Sequence, residues 1–167
     1  YADAMERLMI NHVFAAQDCE TGSCRYHTAP YGSKPSGYFH GPDCCTASGH
    51  RIISMLPTFM YAERGREFFV NQYLPSQYAG KSFTFEISGN YPEAENMELT
   101  ILSEKAVDRV LNLRIPSWCK TPQVSVNGEN MAGVQPGTYL KISRKWSKGD
   151  KVSITFPMEE KWVMREH

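Results

Sequence analysis

The hydrophobic texture of the chain changes once, near residue 66, and that change limits the fold more than any other feature. Beyond Arg66 the apolar residues come in short β-branched and aromatic runs parted by turn residues. "EFFVNQYL", "KSFTFEIS", "MELTILS", "VLNLRIP", "QVSVNG", "TYLKISR" and "KVSITFP" are seven candidate strands, several alternating strictly between apolar and polar. Asn127-Gly128 and Lys148-Gly149-Asp150 are hairpin-type turns among the last of them. Seven short strands at this spacing predict an antiparallel β-sandwich over 67–167.

Before the change, Met5, Leu8, Met9 and Val13, joined less regularly by Ile10 and Phe14, recur at helical steps and predict a helix ending near Gln17. From Asp18 to Asp43 the chain is dense in Gly, Pro and Ser with no sustained period, a long loop of the kind that is more often functional than idle. A second helix follows, capped by Thr46 or Ser48, carrying Ile52, Ile53, Met55, Leu56, Phe59 and Met60 to about Ala62, with Pro57 kinking or shortening it. The class is therefore α+β and multidomain, with helices over 1–66. Two helices alone leave apolar faces uncovered, so the helical part is expected to be one piece of a longer chain. The start inside an amphipathic helix and the stop soon after a strand suggest the same, with the sandwich itself open to truncation.

Composition excludes some partners. With 41% apolar residues, 22% charged and no formal net charge, the chain lacks the basic excess that nucleic acid or an anionic membrane attracts. No apolar run approaches the ~20 residues of a membrane span. Five cysteines, an odd and sparse set, fit a reduced compartment with metal or catalytic use better than a disulfide framework.

Chemistry concentrates at Cys44-Cys45. Adjacent cysteines seldom pair with one another, because the disulfide would be strained. At a helix start, unpaired N–H groups and the positive end of the dipole favour an anionic thiolate. Burial as two small packing residues is the plain alternative. A third is structural zinc, with Cys19 and Cys24 completing a tetrahedron and His27 and His40 as nitrogen substitutes. No phosphate loop, H-E-x-x-H or G-x-S-x-G occurs. Glu20, Asp43 and Glu63 can serve acid–base work, although carboxylates at loop rims are usually solvated. His50 is expected to face solvent or pack. Trp118, Trp146 and Trp162 can stack on sugars but are expected in the core or between strands, and Cys119 has no evident partner.

Taken in order, "YADAMERLMINHV", "YHTAP", "GPDCCTASGHRIISMLPTFMYA", "LNLRIPSWC", "VSVNGE" and "YLKISRKWSKGDKVSITFPM" resemble the bacterial β-L-arabinofuranosidases of glycoside hydrolase family 127, with family 146 among its relatives. The likeness covers nearly the whole chain. It implies that the first helices end an (α/α) barrel and that the strands form the adjoining sandwich. It implies retaining hydrolysis, in which a zinc-bound cysteine thiolate attacks the anomeric carbon while a glutamate protonates the leaving oxygen. By position Cys44 is then nucleophile and zinc ligand, Cys45 a second ligand, and Tyr26 lies near the sugar. The family's Glu-x-Cys ligands and acid/base glutamate fall upstream, and no Glu-x-Cys occurs in this chain, so these residues alone are expected to be inactive.

The expected partner is a glycan containing L-arabinofuranose, with no nucleic acid or membrane; a homo-oligomer stays open, as does the choice between bacterial cytoplasm and periplasm. The form "DCCTASGH" departs from the Cys-Cys-Pro-Pro-Asn of well-studied members, which leaves the exact sugar open. The rival from another class is a carbohydrate- or protein-binding sandwich with a four-cysteine zinc of Cys19, Cys24, Cys44 and Cys45. Metal analysis separates the two. The rival predicts about one zinc per 167-residue chain, abolished by Cys19→Ser with Cys24→Ser, whereas the family reading makes those two cysteines dispensable.

Overall fold

All seven expected strands are present in the computed structural model, which describes residues 1–25, 44–160 and 162, without the side chains of residues 45 and 46. The chain forms two compact units, Tyr1–Met60 and Tyr61–His167. The second unit begins at Tyr61 rather than after Arg66, because residues 61–64 already form a strand.

In the second unit the strands are β1 (Tyr61–Arg64), β2 (Glu67–Val70), β3 (Ser76–Ala79), β4 (Thr84–Gly89), β5 (Asn96–Ile101), β6 (Val107–Arg114), β7 (Gln123–Val126), β8 (Glu129–Asn130), β9 (Tyr139–Trp146) and β10 (Lys151–Thr155). One sheet has the order β1-β2-β6-β9 and the other β3-β4-β5-β10-β7-β8. Among the described residues every strand pairing is antiparallel except one: β2 runs parallel to β6, with Phe68 opposite Leu111 and Val70 opposite Leu113. Sequence patterning misses β1, β3 and β8 for physical reasons. β1 and β3 bury no side chain fully, so they carry little apolar alternation, and β8 is a two-residue return arm.

Alternation builds the core. Phe68, Val70, Leu111, Leu113, Leu140 and Ile142 of the first sheet meet Phe85, Ile87, Leu99, Ile101, Val152 and Ile154 of the second in one buried cluster. Each such side chain contributes roughly 1.5–3 kcal/mol by leaving water. Trp146 is fully buried, and its indole N–H donates to the Arg109 carbonyl at 3.3 Å. Trp118 is exposed, at 41%, with its ring edge-on to Phe156. Trp162 is 98% exposed, contrary to the expectation that all three tryptophans would pack.

The Asn127-Gly128 turn has both residues at positive φ, 52° and 87°, the geometry a two-residue hairpin needs. Its Asn127 side chain reaches the β9–β10 turn. The amide donates to Asp150 Oδ1 at 2.9 Å and the amide oxygen accepts from the Lys151 N–H at 2.8 Å. Asp150 Oδ2 accepts from the Ser147 N–H at 2.8 Å. Partial burial pushes the Asp150 carboxyl upward, but the Ser147 and Asn127 hydrogen bonds and the Arg144 charge outweigh it, so the net shift is downward.

The first unit opens with α1 (Ala2–Leu8), which continues as a π-helical segment, Met9–Val13, and a 3₁₀ turn, Phe14–Ala16, before Gln17 becomes extended. The helical stretch thus ends where expected. α2 spans Cys44–Met55 and α3 Pro57–Met60. Pro57 explains the break: it has no N–H to continue α2, and the Leu56 N–H takes the Ile53 carbonyl at 3.1 Å, three residues back. The helical run accordingly stops at Met60, short of Ala62. Leu8, Ile52, Met55 and Phe59 stay exposed, as the small number of helices predicts.

A depressed carboxyl stabilises the fold above its ordinary value, near 4, and that contribution fades as pH falls through its lower folded value. Asp150→Ala should therefore cost about 1–2 kcal/mol at neutral pH. Urea unfolding of both chains over a pH series should show the gap narrowing as pH falls below the ordinary carboxylate range; a gap independent of pH would contradict it.

Candidate active site

Helix α2 begins at Cys44 itself. The expected caps, Thr46 and Ser48, are thus already inside the helix, and both cysteines lie in its first turn rather than ahead of it. Ser48 Oγ instead accepts from Arg51 Nη2 at 3.2 Å. Cys44 is exposed, and the first turn contains no acidic residue. Among the described residues the first turn of α2 thus offers an exposed thiol.

The chain before α2 forms a tight turn. Asp18 Oδ1 accepts from the Glu20 N–H at 3.1 Å, the Thr21 N–H at 2.8 Å and the Thr21 hydroxyl at 2.9 Å. The Thr21 N–H is foremost in holding the Asp18 carboxyl below its usual range. Gln17 bridges to Cys24, and the Arg25 N–H donates to the Ala16 carbonyl at 2.8 Å. Gly22, at φ +71°, directs its carbonyl to three donors: Gln17 Nε2 at 3.2 Å, Cys24 Sγ at 3.9 Å and His50 Nε2 at 3.1 Å. A carbonyl only accepts, so His50 carries a proton on Nε2. His50 is exposed, yet it ties the turn to α2.

Thiols in a helix's first turn are the soft donors zinc prefers, and Cys44 with Cys45 would supply half of a tetrahedron. Among the described residues no three His, Cys, Asp or Glu side chains gather. Cys19 is exposed while Cys24 is buried, so Cys19, Cys24 and Cys44 do not converge. Cys44 is thus one soft donor of the kind zinc takes, and a tetrahedral site would need three more. Tyr26, His27, His40 and Asp43, and the Cys45 side chain, lie outside the described residues.

The remaining candidates have structural engagements. Glu63, on β1, pairs with Arg109 at 2.7 Å and accepts from the Tyr78 hydroxyl at 3.5 Å. Cys119 is buried, its thiol 3.9 Å from the Pro157 carbonyl, and burial raises its pKa. A sandwich hollow lined by Lys81, Thr84, Ser103 and Glu104 has one carboxylate, paired with Lys148 at 2.5 Å. Sequence reasoning missed the seat of the turn on α2, where a Cβ added to Gly49 would stand 2.9 Å from Cys24 Sγ. Its one local signal was a glycine inside a helical pattern.

The profile of the GH127 β-L-arabinofuranosidase middle domain matches residues 67–158. Among solved structures, a GH127 β-L-arabinofuranosidase from Geobacillus stearothermophilus T6, Ara127N-Se, is similar at 27% identity with a TM-score of 0.75, covering 95% of this chain and 28% of its own. The GH127 β-arabinofuranosidase BT3674 is similar at 29% identity with a TM-score of 0.76, over the same 95% and 28%. A third structure, a glycoside hydrolase at 22% identity and a TM-score of 0.80, shares the fold. The chain thus spans under a third of the length of these structures. No curated protein matches.

Exposure divides the thiols. Iodoacetamide on the native chain should label Cys19 and Cys44 at least about tenfold faster than Cys24 and Cys119, whose reaction requires local opening. Peptide mass spectrometry reads each rate; fast native labelling of Cys24 would contradict the seat described for it.

Proposed function

Because the chain belongs to the GH127 β-L-arabinofuranosidase family, with residues 67–158 as its middle domain, we propose that it is part of a retaining glycosidase whose nucleophile is Cys44. The observation that carries this reading is the exposed Cys44 thiol in the first turn of α2, in a chain that aligns over 95% of its length with β-L-arabinofuranosidase structures.

Cys44 Sγ attacks the anomeric carbon of a β-L-arabinofuranosyl unit, and the bond from that carbon to the leaving oxygen breaks. The leaving oxygen takes a proton from a carboxylic acid elsewhere in the enzyme. Water then attacks the same carbon, the carbon–sulfur bond breaks, and the water's proton passes to the carboxylate. Two inversions give retention. Zinc bound by Cys44 and Cys45 would supply charge that keeps the sulfurs deprotonated. The substrate is a glycan ending in L-arabinofuranose. The described sandwich residues supply packing rather than reacting groups.

In the full-length enzyme, Cys44→Ser should lower turnover of a β-L-arabinofuranoside by about a thousandfold or more while the fold survives. Rates measured beside circular dichroism decide it: a folded variant with parental turnover would refute the assignment. Residues 1–167 by themselves should show no turnover.

A further inference from the structure

Gly49 is the sixth of twelve residues in α2, well inside the helix. Its φ is not positive, so no turn geometry requires glycine there, and alanine would favour the helix by about 1 kcal/mol. The reason for glycine is a neighbour. An added Cβ would lie 2.9 Å from Cys24 Sγ and 3.7 Å from Cys24 Cβ, the first distance closer than real side chains approach. Position 49 stands four residues after position 45, on the same helical stripe. The turn ending at Cys24 is seated there by this contact and by the bond from His50 Nε2 to the Gly22 carbonyl at 3.1 Å. The turn is itself braced by three hydrogen bonds to Asp18 Oδ1 and by the Gln17–Cys24 bridge. A braced body therefore rests on the half of α2 that carries Cys44.

We propose that Gly49 and His50 are positioning residues, clasping the Asp18–Cys24 turn to α2 so that Cys44 is held in one place. This rests on Cys44 being the nucleophile. They act through α2, setting how far it can slide against the turn, and a shift of about 1 Å at a reacting atom can cost a hundredfold in rate.

The test uses the full-length enzyme and reads kcat, KM, zinc content and the alkylation rate of Cys44. Gly49→Ala should lower kcat about tenfold or more and change the alkylation rate, with zinc content and KM near parental values. Adding Cys24→Ala removes the sulfur that the new methyl meets, and should return kcat to within about threefold of Cys24→Ala alone. His50→Leu should act in the same direction, and His50→Gln, which keeps a donor, should recover; this pair decides the matter should Gly49→Ala fail to fold. Unchanged kcat and alkylation in both Gly49→Ala and His50→Leu, or no recovery in the double variant, overturns the clasp. Zinc loss in Cys24→Ala also overturns it, making Cys24 a ligand instead. If Cys44→Ser retains turnover, the nucleophile assignment fails by itself, and Cys44 alkylation in the Gly49 and His50 variants still decides the clasp.

Discussion

The parallel pairing of β2 with β6 organises the second unit. Parallel neighbours cannot be joined by a tight turn, because the chain must travel back before it can run in the same direction again. Between Val70 and Val107 it does so through β3, β4 and β5, consecutive neighbours in the opposite sheet. The crossover thus supplies half of the second layer, and the apolar sides of β2 and β6 face it. Phe68, Val70, Leu111 and Leu113 are fully buried as a result, and Phe68 makes edge contacts with Phe83 and Phe85 at 5.6 and 5.3 Å. The aromatic cluster records where the crossover closes on the sheet it left.

One end of the sandwich is tied by polar groups rather than by apolar area. The Tyr73 hydroxyl donates to the Arg114 carbonyl at 2.6 Å, and Arg114 Nε donates to the Asn71 carbonyl at 2.5 Å. Arg114 is 4% exposed, and its buried guanidinium is met by the Asn71 carbonyl and by the Tyr73 ring, 5.9 Å away. The residues just after β2 are thereby fixed to the end of β6, where the crossover departs.

What the sequence revealed depended on range. Strand alternation, the Asn127-Gly128 hairpin and the break at Pro57 are local, and each was readable because few residues decide it. β1 and β3 were not, since pairing rather than their own burial makes them strands. The start of α2 was missed because Thr46 and Ser48 are good caps in isolation, while the helix extends back to Cys44. Cys44 as a chemically special residue was legible from its neighbour and the helix that follows. The seat of Cys24 on Gly49 was not, because the two residues are far apart in sequence and neither has a pattern that announces the other.

Asn127 also gives the sandwich a chemical clock. An asparagine followed by glycine is open to loss of its side-chain amide through a cyclic imide, since glycine leaves the attacking backbone nitrogen unshielded. Here the amide that would be lost is the donor to Asp150 Oδ1, 2.9 Å away. Conversion to a carboxylate would turn that attraction into repulsion between two acids, while the oxygen that receives the Lys151 N–H remained. The two turns would then be joined on one side and pushed apart on the other. Ageing of the protein would therefore be felt first where β7, β8 and β10 meet, far in sequence from Cys44.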